Sequence, residues 1–382
     1  MTAFDGGSNG GSEGGSGSEG LGFSSARSPF HMSRRSLVSA LGVAAVGFSL
    51  QACGGGKGGD GDKLNFYTWD TYIGETTLAD FQKASGVKVQ TSYFSTNDEL
   101  FAKLKAGNPG YDVIVPSNEF VARMRQADML LPLDLAQIPN LKNIAPEFMG
   151  QDYDPAPKHS VPYTWLVTGI GYRKSRVNGT PDSWKWLYDS DLYKGRIALL
   201  SEAADLIRLG AKYLGKSLNG VDAATIKQVE EMLIRQKPNI KTFHEDNGQD
   251  LLLAGDVDLV MEFNGDIAQI AAEDPDIGFV VPKEGSLLNA DTLAIPKGAP
   301  RPELAHKFIN FLLDAEAGKH IAETILYPTP NAAAKALMPE SYRDNPIVFP
   351  SGAGMDNSEW GKFEGPEQQR LFEDAITRVR AA

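Results

Sequence analysis

The chain has 382 residues, 42% of them hydrophobic, and its 49 acidic and 37 basic side chains give a formal net charge of −12. This length and apolar content suit two domains with a core in each, and they fit neither a disordered chain nor a bundle of membrane helices. A strongly acidic protein is a poor nucleic-acid binder and a good host for cations, although acidic surfaces also serve solubility.

The front of the chain has the features of an export signal. Residues 1–31 form a Gly/Ser-rich run that cannot bury a core and is expected to be disordered, and Met32 is a candidate for the natural start. Arg34 and Arg35 then precede an apolar run at 37–50, which is typical of a twin-arginine or general secretory signal. That run of 14 residues is too short to span a bilayer, which needs about 20. The sequence therefore predicts export.

Cys53, the only cysteine in the chain, directly follows the apolar run. The letters LQAC at 50–53 resemble the bacterial lipobox, in which the cysteine is lipidated and becomes the first mature residue. The glycine-rich stretch behind it would be a flexible tether, and several acyl chains would hold the protein stably on a membrane. We interpret residues 1–52 as leader and signal peptide, and residues 53–63 as the lipid anchor and its tether. With one cysteine, no disulfide forms within the chain.

Residues 64–116 alternate between predicted strands and predicted helices. Short apolar or alternating runs predict strands at 64–69, 87–93 and 111–115. Helical spacing separates them, with Gly86 as a left-handed cap and a second helix at 98–106. This β-α-β-α-β order implies a parallel sheet, and ligands of such sheets bind beyond the carboxyl ends of the strands. Those ends hold Trp69, Asp70, Ser117, Asn118 and Glu119.

A second α/β unit follows the first. Further helices are predicted at 120–129, 184–187, 203–214, 223–236, 266–273, 303–313, 316–326 and 367–380. Further strands are predicted at 167–172, 195–200, 257–263 and 277–281. We interpret the strand at 167–172 and the run at 285–296 as two crossovers between lobes.

Several runs resemble the spermidine/putrescine-binding proteins of polyamine ABC importers. They are YTWDTY from 67, YDVIVPS from 111, SWKWLYDSDLYKGRI from 183, FNGD from 263, DTLAIPKGA from 291, FINFLLDAEAGKHIAETILYPTPN from 308 and NSEW from 357. They extend over residues 64 to about 362, and DTLAIP followed by YPTPN is quite specific to that family. The resemblance implies an α/β, type II-like periplasmic-binding-protein fold. Lobe 1 would comprise 64–166 and 288–340, lobe 2 would comprise 167–287 and 341–382, and hinge strands would let the lobes close on a ligand between them.

A polyamine needs carboxylates at its ammonium groups and aromatic faces along its methylenes. A charge-assisted hydrogen bond contributes roughly 1.5–3 kcal/mol, and a desolvated cation over a ring about 2 kcal/mol. Phe120 and Glu262 lie at or just after the ends of predicted strands, so they are candidates for an aromatic face and a carboxylate of such a site. The predicted ligand-binding residues are Trp69, Asp70, Tyr72, Ser117, Glu119, Glu202, Asp205, Phe263, Asp291 and Tyr327.

The family's binding residues match this sequence unevenly. By the resemblance, Asp291 would hold a secondary amine and Glu202 and Asp205 would form the acidic pair at the far end. Aromatic wall positions would be Trp69, Tyr72 and Tyr327. At other binding positions this chain departs from the family. Asp70-Thr71 stands where the family has a hydroxyl residue and then a glutamate, Glu119 replaces a tyrosine, Phe263 and Asn289 each replace a tryptophan, and Gly361 replaces a glutamine. Carboxylates are kept while aromatic walls are lost, so cation binding is predicted and the particular amine stays open.

Each of these residues also has a purely structural interpretation. An acid after a strand can be a helix cap or a solvated loop residue, and Trp69 and Phe263 can belong to the core. Trp184 and Trp186 are predicted to be packing residues.

Other functional classes are less well supported. GAKYLGKS at 210–217 matches the letters of a P-loop, but it is predicted to end a helix at Gly215, whereas a phosphate loop opens one. The five histidines lack metal-ligand spacing and no nucleophile with a base is apparent, so no enzyme, metal or cofactor is predicted. The alternative is the same fold with another solute: an opine, an amino-acid-derived cation or a chelated metal. Arg173 and Arg208 leave a zwitterion open, and an arginine directed into the cleft would favour it.

The sequence thus predicts a solute receptor of an ABC importer. It would be exported, monomeric and lipid-anchored at the outer face of the cytoplasmic membrane or in the periplasm. Its partners would be a polyamine or related cation and the transmembrane subunits of a permease, with no nucleic acid.

Overall fold

The computed structural model describes residues 63–382. The predicted signal at Arg34 and Arg35, the lipidation site Cys53 and the start at Met32 fall in residues 1–62, outside the described residues. They stay predictions.

The described chain alternates between strands and helices, as predicted. The strands are β1 Lys63–Thr68, β2 Lys88–Tyr93, β3 Val113–Ile114, β4 Ser160–Arg173, β5 Ile197–Leu200, β6 Ile240–His244, β7 Leu259–Phe263, β8 Ile277–Val280, β9 Leu287–Ala294 and β10 Glu359–Trp360. The helices are α1 Thr77–Ser85, α2 Asn97–Lys105, α3 Asn118–Gln126, α4 Lys185–Tyr188, α5 Ala203–Tyr213, α6 Ala223–Gln236, α7 Gly248–Leu253, α8 Asn264–Glu273, α9 Pro302–Leu312, α10 Ala315–Ile325, α11 Ala332–Leu337, α12 Glu340–Arg343, α13 Ala353–Asp356 and α14 Pro366–Ala381. Short 3-10 helices lie at Leu135–Gln137, Pro139–Asn143, Pro146–Phe148 and Lys237–Asn239.

The first three strands form the parallel unit that the sequence predicts. β1 pairs in parallel with both β2 and β3, with Phe66 opposite Thr91 and Val113. Helix α1 ends at Gly86, whose φ of 76° is the left-handed cap expected there. The carboxyl ends of β1 and β3 therefore open on the same edge of the sheet, as βα crossovers require.

Strand β4 is longer than predicted and belongs to both halves of the sheet. Residues 160–167 pair antiparallel with β9, and residues 168–173 pair antiparallel with β7 and β8. The prediction of a start at Val167 is wrong by seven residues, because Pro162 lacks a backbone donor and hid the strand. The ladder accommodates that proline with a register shift between Pro162 and Thr164. The strand order is β2-β1-β3-β9-β4-β7-β5-β6, with β8 on β4 and β10 on β9.

The second half contains several elements that the sequence did not predict, among them β6 and α7. β6 pairs in parallel with β5, and α7 follows it after a short loop. β6 has the sequence IKTFH, which is short, follows Pro238 and has no clear alternation. Because β6 was not predicted, the acids at residues 245 and 246 were not recognised as lying at the end of a strand, where a binding residue is expected.

Separate hydrophobic clusters lie on the two halves of the sheet. One contains Phe66, Phe81 and Phe308, and Phe81 meets the ring of Phe308 at 4.9 Å between centroids. The other contains the fully buried Trp184, whose Nε1 donates to the carbonyl of Gly285 at 2.8 Å. Trp184 is therefore the packing residue that the sequence predicted.

The P-loop-like run at 210–217 ends a helix. Gly210 lies inside α5, where a Cβ would come within 2.4 Å of Val229 on α6. The helix ends at Tyr213, and Gly215 follows with a φ of +73°. A phosphate loop must present free amides at the start of a helix, and this run does the opposite. Between residues 63 and 382, no helix is long and apolar enough to cross a bilayer.

Candidate binding site

A cavity of about 350 Å³ lies where the carboxyl ends of the parallel strands meet β9. The loops and helices that follow β1, β2, β3, β5, β6 and β7 contribute its walls, because these strands end at the same edge. All ten predicted ligand-binding residues line it: Trp69, Asp70, Tyr72, Ser117, Glu119, Glu202, Asp205, Phe263, Asp291 and Tyr327. Residues from distant parts of the sequence are thus brought together, and whether they bind a ligand stays a prediction.

The cavity is strongly acidic. Ten of the residues that line it are acids, namely Asp70, Glu119, Glu202, Asp205, Glu245, Asp246, Asp250, Asp266, Glu273 and Asp291. Arg123 is the single basic residue among the described residues of the wall. Its guanidinium donates to Asp98 at 2.7 Å and lies 4.0 Å from the ring centroid of Phe101. The wall therefore carries a large excess of acidic over basic side chains, and its one basic side chain is already paired with Asp98.

Asp291 is held by hydroxyl groups at the centre of the wall. Ser117 Oγ donates to its Oδ1 at 2.6 Å, and Tyr72 OH donates to its Oδ2 at 2.7 Å. Asn97 fixes the serine, because its Nδ2 donates to Ser117 Oγ at 2.9 Å. Burial raises the pKa of Asp291 to about 6, while the two hydroxyl donors lower it. The hydroxyls aim the carboxylate and leave its charge uncompensated.

Asp266 and Asp246 form a second acidic group beside Asp291. Tyr327 OH donates to Asp266 Oδ2 at 2.5 Å, and burial nevertheless raises the pKa of Asp266 to about 7. Burial, followed by repulsion from Asp266 and Asp291, raises the pKa of Asp246 to about 9. Like charges this close cannot all ionise in a buried site without a cation.

The far end of the cavity lies at the start of α5. Burial raises the pKa of Asp205 to about 7, with a further contribution from Glu119. Burial and the neighbouring Asp205 raise the pKa of Glu202 well above its usual range. This pair faces the cavity without an arginine or lysine in hydrogen-bond contact among the residues described.

Glu119 lines the cavity but has a cationic partner in the protein. Arg208, which is 2% exposed, donates to Glu119 Oε1 and to the carbonyl of Lys362. Arg173 lies elsewhere and pairs with Asp274 and Asp276. Neither of the two arginines singled out in the sequence lines the cavity; the arginine that does is Arg123.

The aromatic residues serve both the wall and the core. Trp69 is half-buried, and its Nε1 donates to the carbonyl of Val115 at 3.0 Å. Phe263 is also half-buried and contacts both hydrophobic clusters. The rings of Tyr72 and Tyr327 meet edge to face at 5.0 Å. Trp69 and Phe263 thus pack in the core and also line the cavity.

Several wall residues were missed from the sequence. Asp246 follows the unpredicted strand β6, whereas Asp266 stands inside the FNGD run and could have been found there. The candidate Phe120 lines the cavity, and the candidate Glu262 does not. Glu262 is fully buried behind the wall, with its Oε2 3.7 Å from His244 Nδ1. Unpredicted polar residues of the wall are Ser95, Thr96, Asn97, Arg123, Glu245, Asp246, Gln249, Asp250, Asp266, Gln269, Glu273 and Gln369. Thr71 and Asn289, which the sequence singled out only as departures from the family, also line it.

Comparison with known proteins identifies the family. Residues 76–350 match the family model described as bacterial extracellular solute-binding protein. The chain belongs to this family. The spermidine/putrescine-binding periplasmic protein of Salmonella typhimurium is 33% identical over 344 residues, which cover 90% of this chain and 97% of that protein. The family membership predicted from the sequence is confirmed.

Solved structures of this solute-binding family share the fold. A putative spermidine/putrescine ABC transporter protein from Listeria monocytogenes has a TM-score of 0.79 at 31% identity, covering 84% of this chain and 99% of that chain. The spermidine/putrescine substrate-binding protein PotD of Streptococcus pneumoniae, in complex with calcium and HEPES, has a TM-score of 0.73 at 32% identity, with coverage of 84% and 99%. The two-lobe α/β fold is therefore confirmed.

The relatives also bear on the predicted location. Their names describe binding proteins of transport systems, and several are described as periplasmic, so this extracellular solute-binding protein acts outside the cytoplasm. Within residues 63–382, no cluster of three or more His, Cys, Asp or Glu side chains has a geometry that could hold a metal ion.

Proposed function

We propose that this solute-binding protein takes up a linear polyamine in the cavity and delivers it to the permease of an ABC importer. The observation that supports this most strongly is the charge of the wall, where ten acids face one arginine that is already paired. Burial raises the pKa values of several of these acids, and no cation of the wall pairs with Asp246, Asp266 or Asp291 to compensate their charge. An ammonium group would supply that compensation.

The acids stand in two groups, as a ligand with a cationic nitrogen at each end requires. Asp291, Asp266 and Asp246 form one group, and Glu202 and Asp205 form the other. The half-buried faces of Trp69 and Phe263 suit the methylenes between them. A volume of about 350 Å³ is within the usual range for small-molecule sites. Relatives named for spermidine and putrescine bind ligands of this class.

Ligand capture would proceed by closure of two lobes. Lobe 1 would comprise 64–166 and 288–340 and lobe 2 would comprise 167–287 and 341–382, with β4 and β9 as the hinge. The pairing of β4 with β9 at one end and with β7 and β8 at the other supports these boundaries, which come from the sequence. A ligand that contacts both lobes stabilises the closed state.

The protein would reach its permease as a lipid-anchored monomer. Export would depend on Arg34 and Arg35, and Cys53 would carry the anchor. These steps rest on the sequence signals alone. They place the cavity outside the cytoplasmic membrane, where a permease receives its solute.

A calorimetric titration tests the ligand class. Protein beginning at Asp62 is titrated with putrescine, spermidine, spermine and, as the zwitterion, arginine. We expect one of the polyamines to bind. In Asp291→Asn the affinity for it should fall at least tenfold, since a charge-assisted hydrogen bond contributes roughly 1.5–3 kcal/mol and each 1.4 kcal/mol is a factor of ten. The matched control is Asp344→Asn, which changes an exposed aspartate and should bind as the unmodified protein does.

The outcomes separate the candidates. Unchanged affinity in Asp291→Asn would remove Asp291 from the site. Failure of all three polyamines would refute the proposed ligand class. A zwitterionic solute is the second candidate, because Arg123 lines the cavity, and it would require that arginine to leave Asp98. Binding of arginine alone would favour it.

A further inference from the structure

Thr71 has a backbone conformation that its residue type disfavours. Its φ is +50°, in the left-handed region, where the Cβ of any residue other than glycine crowds the backbone and a branched side chain is least tolerated. The side chain is exposed and makes no hydrogen bond to another described residue, so it does not hold the backbone in this region. Such conformations persist only where the surrounding structure imposes them, and they concentrate at functional sites.

The aromatic residues on either side of Thr71 are fixed by contacts of their own. Trp69 donates its indole N–H to a backbone carbonyl at 3.0 Å. Tyr72 is held at both ends, because Tyr163 OH donates to its carbonyl at 2.9 Å and its own OH donates to Asp291 Oδ2 at 2.7 Å. The chain between these two anchors therefore has little freedom to relax.

The turn that contains Thr71 brings Trp69 and Tyr72 to the same cavity. Side chains three positions apart on an extended strand point to opposite faces. Strand β1 ends at Thr68, and the turn at residues 70–71 places both aromatic side chains in the cavity wall. Turns that need a positive φ normally have Gly or Asn at that position. Here a threonine adopts it, at a cost in free energy.

The same arrangement recurs at the tyrosine that faces Tyr72. Between residues 63 and 382, the residues other than glycine with a positive φ are Thr71, Asp128 and Leu326. Leu326, with a φ of 54°, directly precedes Tyr327, whose OH donates to Asp266. The rings of Tyr72 and Tyr327 meet edge to face at 5.0 Å. Asp128 belongs to a residue type that tolerates this region, and it is exposed and outside the cavity.

We infer that the left-handed backbone at Thr71 positions Tyr72, and through it aims the carboxylate of Asp291 at the ligand. The inference rests on the proposed function for the ligand and on the contacts above for the carboxylate. At a negative φ the chain would leave Thr71 in another direction, and Tyr72 would lose its contacts. Asp291 would then keep only one of the two hydroxyl donors that stabilise its ionised form.

Loss of the tyrosine donor should make Asp291 harder to ionise. A charge-assisted hydrogen bond corresponds to about a tenfold change in the acid dissociation constant or more. A rise in the pKa of Asp291 from about 6 to about 7 lowers its ionised fraction about fivefold at pH 6 and about twofold at pH 7. Asp246 and Asp266 also face Asp291, and they are the same in every protein compared, so a difference between proteins reports on Asp291.

The test combines carboxyl NMR titration of Asp291 in the ligand-free protein with spermidine titrations at pH 6 and pH 7. Thr71→Pro fixes φ at about −65°, so it should raise the pKa of Asp291 to about 7 and weaken spermidine binding about fivefold at pH 6 and about twofold at pH 7. Thr71→Gly accepts a positive φ without strain. It should change that pKa and the affinity less than Thr71→Pro does, and raise the melting temperature by about 2 °C. The control Asp128→Pro makes the same backbone change outside the cavity and should leave both readouts unchanged.

Three results would overturn the inference. An unchanged Asp291 titration in folded Thr71→Pro would show that Tyr72 keeps its place without the left-handed backbone. An equal rise of that pKa in Thr71→Gly would assign the effect to the threonine side chain. A melting temperature of Thr71→Gly no higher than that of the unmodified protein would show that the backbone is not strained, and this result decides the question if Thr71→Pro does not fold.

The titration of Asp291 needs no ligand, so failure of the proposed function is seen separately. A pKa of about 7 in Thr71→Pro, together with no binding of any polyamine, would refute the proposed function and keep Thr71 as the residue that positions Tyr72 and Asp291. Spermidine binding that weakens equally at both pH values would show that the loss does not act through Asp291, and the inference would fail.

Discussion

Ligand binding should release protons, because the empty cavity holds carboxyl groups that a cation would ionise. The pKa values are about 9 for Asp246, about 7 for Asp266 and Asp205, and about 6 for Asp291. At pH 7 the first is protonated, the next two are half protonated and the last is mostly ionised. If ammonium groups return all four to their ordinary pKa values, about two protons leave per ligand.

The sign of the pH dependence follows from these shifts. Each pKa is higher in the empty protein than in the complex, so the complex is favoured when the group is ionised. Affinity is then greatest above the pKa of the empty site and falls as the pH drops through it. The number of protons released rises from about two at pH 7 to about three at pH 6, so affinity should fall by between about two and about three orders of magnitude over this interval. Ammonium groups stay charged throughout, because their pKa is about 10.

Calorimetry measures the release directly. Titrations at pH 7 in buffers of different ionisation enthalpy give an apparent binding enthalpy whose slope is the number of protons released. Asp246→Asn should lower that number by about one, because the group with the highest pKa is gone. Asp344→Asn, an exposed control, should leave it unchanged. A slope of zero, or uptake of protons, would refute the account of the cavity as a set of uncompensated acids.

Three further predictions follow from the same geometry. Without ligand, the wall acids have raised pKa values, so their contribution to stability is present at low pH and is lost as the pH rises from about 4 to about 9. The melting temperature of the empty protein should therefore fall over this range. A saturating polyamine should reduce that fall. Glu119→Ala should lower the free energy of unfolding by about 3 kcal/mol in urea denaturation, because it leaves the guanidinium of Arg208 buried without its carboxylate. The control Asp128→Asn breaks an exposed pair with a lysine and should lower the free energy of unfolding by under about 1 kcal/mol. Tyr327→Phe removes the hydrogen bond that lowers the pKa of Asp266, so that pKa should rise in carboxyl NMR titrations and affinity at about pH 6 should fall.

Each of these has a result that would contradict it. A melting temperature of the empty protein that rises with pH would show that the wall acids are already compensated. Equal losses in Glu119→Ala and Asp128→Asn would mean that the buried pair has no more influence than a surface pair. An unchanged carboxyl titration in Tyr327→Phe would separate the tyrosine from Asp266.

The sequence alone was sufficient for the family, the alternation of strands and helices and the ten cavity-lining residues that were predicted. Strand ends can be located from local periodicity, and in a parallel sheet the strand ends share one edge, so Asp70 and Ser117 could be placed together before the fold was known. Asp291 lies inside β9, and the family resemblance assigned it to the same site. The same reasoning rejected the P-loop at 210–217, because helix capping is a local property. It failed at β6, whose five residues lack periodicity, and so Asp246 was missed.

Tertiary structure alone decided which charges are compensated and which are not. Glu119 and Arg208 are 89 residues apart in the chain, and no local pattern pairs them. Asp246, Asp266 and Asp291 repel one another only because the loop after β6, helix α8 and strand β9 meet at one wall. The unpaired amide of Asn289 likewise depends on what surrounds it in space. Periodicity and capping depend on neighbours within a few residues, whereas pKa values and hydrogen-bond satisfaction depend on burial and on contacts that only folding creates.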